Sequence, residues 1–273
     1  MEHVIGENAT QAPTAAAPWA ALREHTAARI GIGRAGGSQR TASLLDFRFA
    51  QAAARDAVRE PLDADTLAAS LAGLGLASER LATAARDKRE FLLRPDLGRQ
   101  LDAPSRERLA RLRDAAGVDL AIVVSDGHSA RAVTRHAPAL LAALVPPLKA
   151  DGWRVAPVFI APLGRVKLQD EVGVLLNARL TLMLLGERPG LSAPDSLGAY
   201  FTHAPTPAST DADRNCVSNI RPEGIPPERA AQKLAWLLRE AARLGTSGVA
   251  LKDTVPVASV PGGGNAPALA SVA

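Results

Sequence analysis

The chain has 273 residues, of which 47% are hydrophobic and 22% charged, an ordinary balance for a water-soluble globular protein with a sizeable core. Aromatic residues make up only 3%, so the core must be built from Ala, Leu and Val, and single-strand nucleic-acid binding on stacked aromatics is excluded. The net charge of +4 is mild, and Arg is interspersed with acids, as in SRERLARLRDAAG, so no concentrated basic footprint for nucleic acid is present.

No window is long, apolar and uncharged enough to cross a membrane. The single cysteine, Cys216, excludes an internal disulfide or a multi-cysteine metal centre and fits a reducing, cytoplasmic setting. In chain order, residues 1–18 read as a flexible leader of Ala, Thr and Pro. A helix is expected from Trp19 to Arg29, followed by the glycine-rich run Gly31–Gly37. Ser43 and Asp46 have capping-box spacing ahead of a helix whose Leu45, Phe49, Ala52 and Ala53 share one face, with Arg48, Arg55, Asp56 and Arg59 as its wet positions. Asp63 or Asp65 can cap the next helix, through Leu67 and Leu71. Further helices are expected over Ser78–Leu93 and Arg106–Ala116, with no strand before residue 118. These elements make residues 19–117 a helical domain.

At Val118 the pattern changes. Val118–Val124 is a short β-branched run of the kind buried on both faces of a sheet. A loop, Ser125-Asp126-Gly127-His128-Ser129, leads to a helical pattern interrupted at Pro138 and running to Lys149. Strands are expected at Val155–Ile160, Leu180–Leu185 and Leu197–Thr202, with a helix over Leu168–Ala178. Pro227 and Glu228 open a helix lined by Leu234, Leu237, Leu238, Ala241 and Leu244 and stopped by Gly245, with a last strand at Gly248–Leu251. Alternating strands and helices give residues 118–253 a Rossmann-like α/β domain with an open, mainly parallel sheet. Residues 254–273, rich in Gly, Pro and Ala, read as a disordered tail.

Candidate chemistry concentrates where strands end. Glu187 and Arg188 follow the run Leu182–Gly186 and open a long polar loop reaching Gly224, the position at which open α/β sheets hold ligands. Gly31-Ile32-Gly33-Arg34-Ala35-Gly36 matches a dinucleotide fingerprint in letters, but that mechanism requires a preceding strand, and a flexible connector fits the helical surroundings better. Ser125, Asp126 and His128 are adjacent, whereas a catalytic triad converges from separate elements; Ser129 is placed to cap the following helix. Cys216 has no neighbour that would activate it, and the histidines show no metal-ligand spacing. A ligand edge without an acid, base or nucleophile set suits a chain that holds a cofactor for chemistry done elsewhere.

ARIGIGRAGGSQRTASLLDFRFAQAAARDAV, FLLRPDLGRQLD, SDGHSARAV, GERPGLSAPDSLGAYFTHAP and DADRNCVSNIRPEG together resemble the small subunit of ethanolamine ammonia-lyases, over roughly residues 19–253. The resemblance implies an adenosylcobalamin-dependent radical conversion of ethanolamine to acetaldehyde and ammonia. It assigns the reacting groups to a large partner subunit, and to this chain the task of enclosing the cofactor between the two. By motif it implies cofactor contacts at Val166 in GRV, Glu187 in GERPG and Cys216 in RNC, with Ser125, His128, Ser192 and Arg214 as further neighbours. Some members of the family are packaged in bacterial microcompartments. Two other readings stand beside this one: a stand-alone dinucleotide-binding oxidoreductase resting on GIGRAG, and a non-enzymatic interaction protein.

Overall fold

The structure, a computed structural model, describes residues 17–254, so most of the expected leader and almost all of the expected tail lie outside the described residues. Helix α1 (Ala17–Arg23) stops short of Arg29. The glycine run then folds back on itself as a small hairpin of β1 (Arg34–Ala35) and β2 (Ser38–Gln39), with Gly31, Gly33 and Gly36 in the left-handed region. No strand precedes it among the described residues, so the context a dinucleotide fingerprint needs is missing and the connector reading holds.

Helix α2 (Thr41–Arg59) starts without a side-chain cap, and Asp46 pairs with Arg29 at 2.8 Å rather than closing a box with Ser43. Its expected inner face is also corrected. Leu45 and Phe49 are 59% and 75% exposed, and the buried positions are Ala50 and Ala57, where small side chains let the helix approach the body. Helix α3 (Ala64–Gly73) is capped by Asp63, which accepts from the Asp65 and Thr66 amides. The helix expected over Ser78–Leu93 is instead a strand, β3 (Ser78–Arg80), and a short helix, α4 (Lys88–Leu93), capped by Asp87. Strand β3 has no apolar alternation to announce it; pairing with the sheet edge alone makes it a strand. After a 3-10 turn at Leu97–Arg99, α5 (Ala103–Leu112) begins at the cap Asp102.

Strand β4 (Val118–Ser125) leads to α6 (Ala130–Ala150), capped by Ser129. Pro138 lies within α6 and does not interrupt it. Strand β5 (Val155–Ile160) tolerates Pro157 because its register with β4 shifts there: Leu120 faces Val155 and Ile122 faces Val158, and the pairing with β3 begins only at Val158. Helix α7 (Leu168–Leu176) ends on Asn177 in a left-handed conformation. Strands β6 (Ala178–Gly186) and β7 (Leu197–His203) follow. Part of the long loop expected up to Gly224 is itself a strand, β8 (Arg214–Ile220). Helix α8 (Pro227–Leu244) closes with Gly245 in the left-handed region, and the strand expected at Gly248–Leu251 is a 3-10 turn, Gly248–Ala250.

The main sheet has the order β3-β5-β4-β6-β7-β8. The first four strands are parallel, and β7 and β8 run antiparallel, so the fold is α/β with a mainly parallel mixed sheet. Strand alternation splits the core into two layers. Leu120, Ile122, Leu182, Leu184, Ala199 and Phe201 face α3, α6 and α8, while Ala121, Val123, Met183 and Phe159 face α5 and α7. Helix α7 packs on β4 and β6. On the same face, the outer strands leave Tyr200 half-buried and Cys216 and Ser218 exposed. Among the described residues no helix is long and apolar enough to cross a membrane.

Gly186 ends β6 with its backbone pressed against the SDGHS loop, where a Cβ would run into the carbonyl oxygens of Ser129 and Asp126. Those are backbone atoms and cannot rotate away. We expect Gly186→Ala to lose about 2–4 kcal/mol of stability in urea unfolding; a wild-type midpoint and slope would contradict this packing.

Candidate functional site

The parallel strands end together, β4 at Ser125, β5 at Ile160 and β6 at Gly186, and their following loops meet. Ser125 is fully buried and its Oγ accepts from the Gly164 amide at 2.8 Å. Asp126 is also buried; its Oδ1 accepts from the Leu163 amide at 2.6 Å and its Oδ2 from Lys88 Nζ at 2.8 Å. Ser129 Oγ accepts from Ala132 N and donates to Pro194 O at 2.9 Å. The polar groups of Ser125, Asp126 and Ser129 are therefore committed to tying the β4 end to the β5–α7 loop, to α4 and to the β6–β7 loop. No triad forms from them, and Ser125 is sealed from solvent rather than facing a ligand.

His128 has a different environment. Its ring stands edge-on to Phe91, with centroids 5.5 Å apart, and its Nε2 lies 3.3 Å from an Arg165 terminal nitrogen. Arginine can only donate, so Nε2 accepts and the ring is the neutral Nδ1-protonated form. Burial, and then the charges of Arg165, Lys88 and Arg188, push its pKa down to about 4.

Glu187 is the first residue past β6. Its amide donates to Ser196 O at 2.9 Å, and its Oε2 accepts from Ser196 Oγ at 2.5 Å and from Asn219 N at 3.3 Å. Among the described residues Oε1 has no hydrogen-bond donor. Gly198 makes room for this carboxylate: a Cβ there would sit 2.9 Å from Oε1 and 2.9 Å from the Tyr200 ring. Tyr200 faces Cys216 across the β7–β8 register. Burial raises the Tyr200 phenol, and Cys216 and Glu187 add to the rise. Although Cys216 reaches the surface, the atoms packed around its sulfur desolvate the thiol and push it up to about 11, opposed by its bond to Tyr200 and assisted by the Glu187 charge, so nothing here activates it as a nucleophile. Val166 lies in the β5–α7 loop, half-buried against the same apolar cluster as Tyr200. Glu187 and Cys216 thus border one tyrosine, and Val166 shares its apolar support.

Two further sequence candidates lie elsewhere. Arg214 is buried and forks onto Asp170 at 2.6 and 2.9 Å, with Thr202 and Asp211 as additional partners, which makes it an internal brace between β8 and α7. Ser192 is exposed and donates to Ala27 O on the N-terminal arm. It borders a cleft of about 1140 Å³ among α1, the hairpin and α2, whose lining does not include Glu187. Among the described residues no cluster of His, Cys, Asp or Glu could hold a metal ion. Sequence reasoning missed Tyr200 and Ser196 and placed Asn219 only among the polar residues of the long loop. The period-2 pattern of β7 held the signal for Tyr200, since Leu197, Ala199 and Phe201 take one face and Gly198 and Tyr200 the other.

His128 gives a pH dependence with a definite sign. The unfolded chain binds a proton near pH 6.5 that the folded chain refuses until about pH 4. Stability from this group is therefore complete above 6.5 and is lost as pH falls through that window. A proton-NMR titration of the His128 ring should show a folded-state midpoint near 4, and a midpoint at 6.5 would contradict the Arg165 contact.

The family profile described as ethanolamine ammonia-lyase light chain (EutC) matches residues 16–252. The chain is 52% identical to a protein of Azotobacter vinelandii over 94% of its own length and 96% of that protein's. It is 53% identical to a Ralstonia nicotianae protein over 88% and 90%, and 53% identical to one from Pseudomonas putida over 91% and 92%. All three relatives are named ethanolamine ammonia-lyase small subunit. With a match spanning nearly every described residue, the chain belongs to the ethanolamine ammonia-lyase light chain family.

Proposed function

We propose that this chain is the small subunit of a carbon–nitrogen lyase that deaminates ethanolamine to acetaldehyde and ammonia, and that it encloses adenosylcobalamin against a large catalytic subunit. The observation that carries this reading is the half-anchored carboxylate of Glu187 beside the open Tyr200–Cys216 surface. One oxygen is held by Ser196 and Asn219; the other is uncommitted, which suits acceptance from a peripheral amide of a corrin ring. Val166 and Cys216 offer apolar edges, and a protonated thiol fits that use. The parallel strands β3, β5, β4 and β6 are read as a Rossmann-like core whose carboxyl-end loops form the cofactor wall.

Bound adenosylcobalamin would supply the cobalt–carbon bond from which radical chemistry starts. This chain's residues would orient the ring and keep water from one side of it. Neither His128, held neutral by Arg165, nor Cys216 is assigned a proton-transfer role. The reacting groups are then the partner's, in line with the small-subunit names of the relatives. The oxidoreductase alternative loses its support with the hairpin at GIGRAG. An interaction protein without enzymatic partnership would bind no corrinoid even with the large subunit present.

Glu187→Ala should weaken cobalamin binding by the assembled complex by about tenfold, the loss of one hydrogen bond to a charged acceptor, and leave subunit assembly intact. A wild-type dissociation constant in a visible-spectrum titration would remove Glu187 from the site. The purified chain alone should release no acetaldehyde from ethanolamine with cofactor present; turnover without a partner would overturn the division of labour.

A further inference from the structure

Three arginines lie close together at the carboxyl end of the parallel strands, and the one carboxylate near Arg99, Asp96, is already paired with Arg94. The Arg165 guanidinium stacks on Phe91 at 4.0 Å, donates to Phe91 O at 2.7 Å and reaches His128 Nε2 at 3.3 Å. These contacts fix its orientation and leave its charge uncancelled, since both acceptors are neutral. Its buried Nε has no partner. The Arg165 amide donates to Gly98 O at 2.7 Å, and a Cβ on Gly98 would lie 2.9 Å from Arg165 Cγ, which brings the neighbouring Arg99 alongside. From the other side, the His128 amide donates to Gly186 O at 2.9 Å and draws in the loop that carries Arg188. Among the described residues, none of Arg99, Arg165 and Arg188 forms an ion pair, whereas Arg94, Arg106 and Arg214 do. The buried acid Asp126 of the same loop as His128 is already committed to Lys88 and the Leu163 amide. Burial first, then the like charges of Arg99 and Arg188, lowers the Arg165 pKa.

Such an arrangement is costly unless an anion arrives, and planar guanidinium groups match the paired oxygens of phosphate. We propose that Arg99, Arg165 and Arg188 form a seat for a phosphate-type anion, and that the anion is the phosphodiester of the cofactor's nucleotide loop. The second half of this rests on the cobalamin reading above. It is supported by adjacency: Arg165 precedes Val166 and Arg188 follows Glu187, so one ligand lying on those two residues has its periphery beside the arginines. Arg165 is the fixed anchor, while Arg99 and Arg188, both exposed, close on the anion from either side.

The test compares two corrinoids on the assembled complex, cobalamin and cobinamide, which has the corrin ring but lacks the phosphodiester and nucleotide. Arg188→Gln and Arg99→Gln change exposed side chains with no ion pair to lose, so both should fold and assemble. Each should weaken cobalamin binding about ten- to a hundredfold, the range for a charge-assisted hydrogen bond, and leave cobinamide affinity unchanged. Equal losses for both corrinoids, or no loss for either, would overturn the proposal. Equal losses together with weakened assembly would assign the arginines to an acidic group of the partner subunit. In a parallel melt of the complex without corrinoid, inorganic phosphate that stabilises wild type and neither variant, without discrimination between corrinoids, would make the ligand a free phosphate and overturn the cofactor assignment. If wild type binds neither corrinoid, the cobalamin reading itself fails, a result distinct from all of these.

Discussion

Asp126 is 1% exposed, and what it holds sets the geometry of the loops at the carboxyl end of the parallel strands. A buried carboxylate is costly without partners. Here Lys88 supplies the opposite charge and the Leu163 amide a second donor, while the adjacent Ser125 takes the Gly164 amide. These bonds join three segments distant in sequence: α4, the end of β4 and the β5–α7 loop. That loop carries Arg165, Val166 and Lys167 in succession. The residues that look most like a catalytic cluster therefore act as a clamp, and the surface they position is made by their neighbours.

The sheet is asymmetric in how its two faces are covered. Its parallel strands are covered on both faces, but β7 and β8 turn antiparallel and carry small or polar side chains on the face that α7 packs against further in. Gly198 leaves space for Glu187, Tyr200 supplies an aromatic floor, and Cys216 and Ser218 reach solvent. On the opposite face, Ala199, Phe201 and Val217 are sealed beneath α8. A partner that covers the open face would bury a carboxylate, a phenol and a thiol at once. Such groups tolerate burial only when a ligand or partner supplies donors.

The arginine brace at Arg214 and the arginine convergence at Arg165 illustrate opposite uses of one side chain. Arg214 is neutralised by a forked contact to Asp170 and locks β8 to α7. Arg165 is packed against an aromatic ring and two neutral acceptors, so its charge remains available. Sequence cannot distinguish them, because both lie beside a motif residue in a polar segment; the difference lies in whether a distant carboxylate is brought within reach.

The sequence alone determined the elements with strong internal patterns. These are the β-branched strand at Val118–Val124, the helix from Pro227 to Gly245, the caps at Asp63 and Ser129, and the failure of GIGRAG to meet its own requirements. Its long motifs also carried the family and pointed to Val166, Glu187 and Cys216. Only the tertiary structure decided the rest. Ser78–Arg80 and Arg214–Ile220 are strands because a sheet edge offers them hydrogen bonds, not because their side chains alternate strongly. Helix α2 turns Leu45 and Phe49 outward and buries Ala50 and Ala57 instead. Local propensity and periodicity are properties of a segment and can be read from it, whereas edge pairing, helix rotation and charge compensation depend on which distant groups arrive, and that is fixed only when the chain has closed on itself.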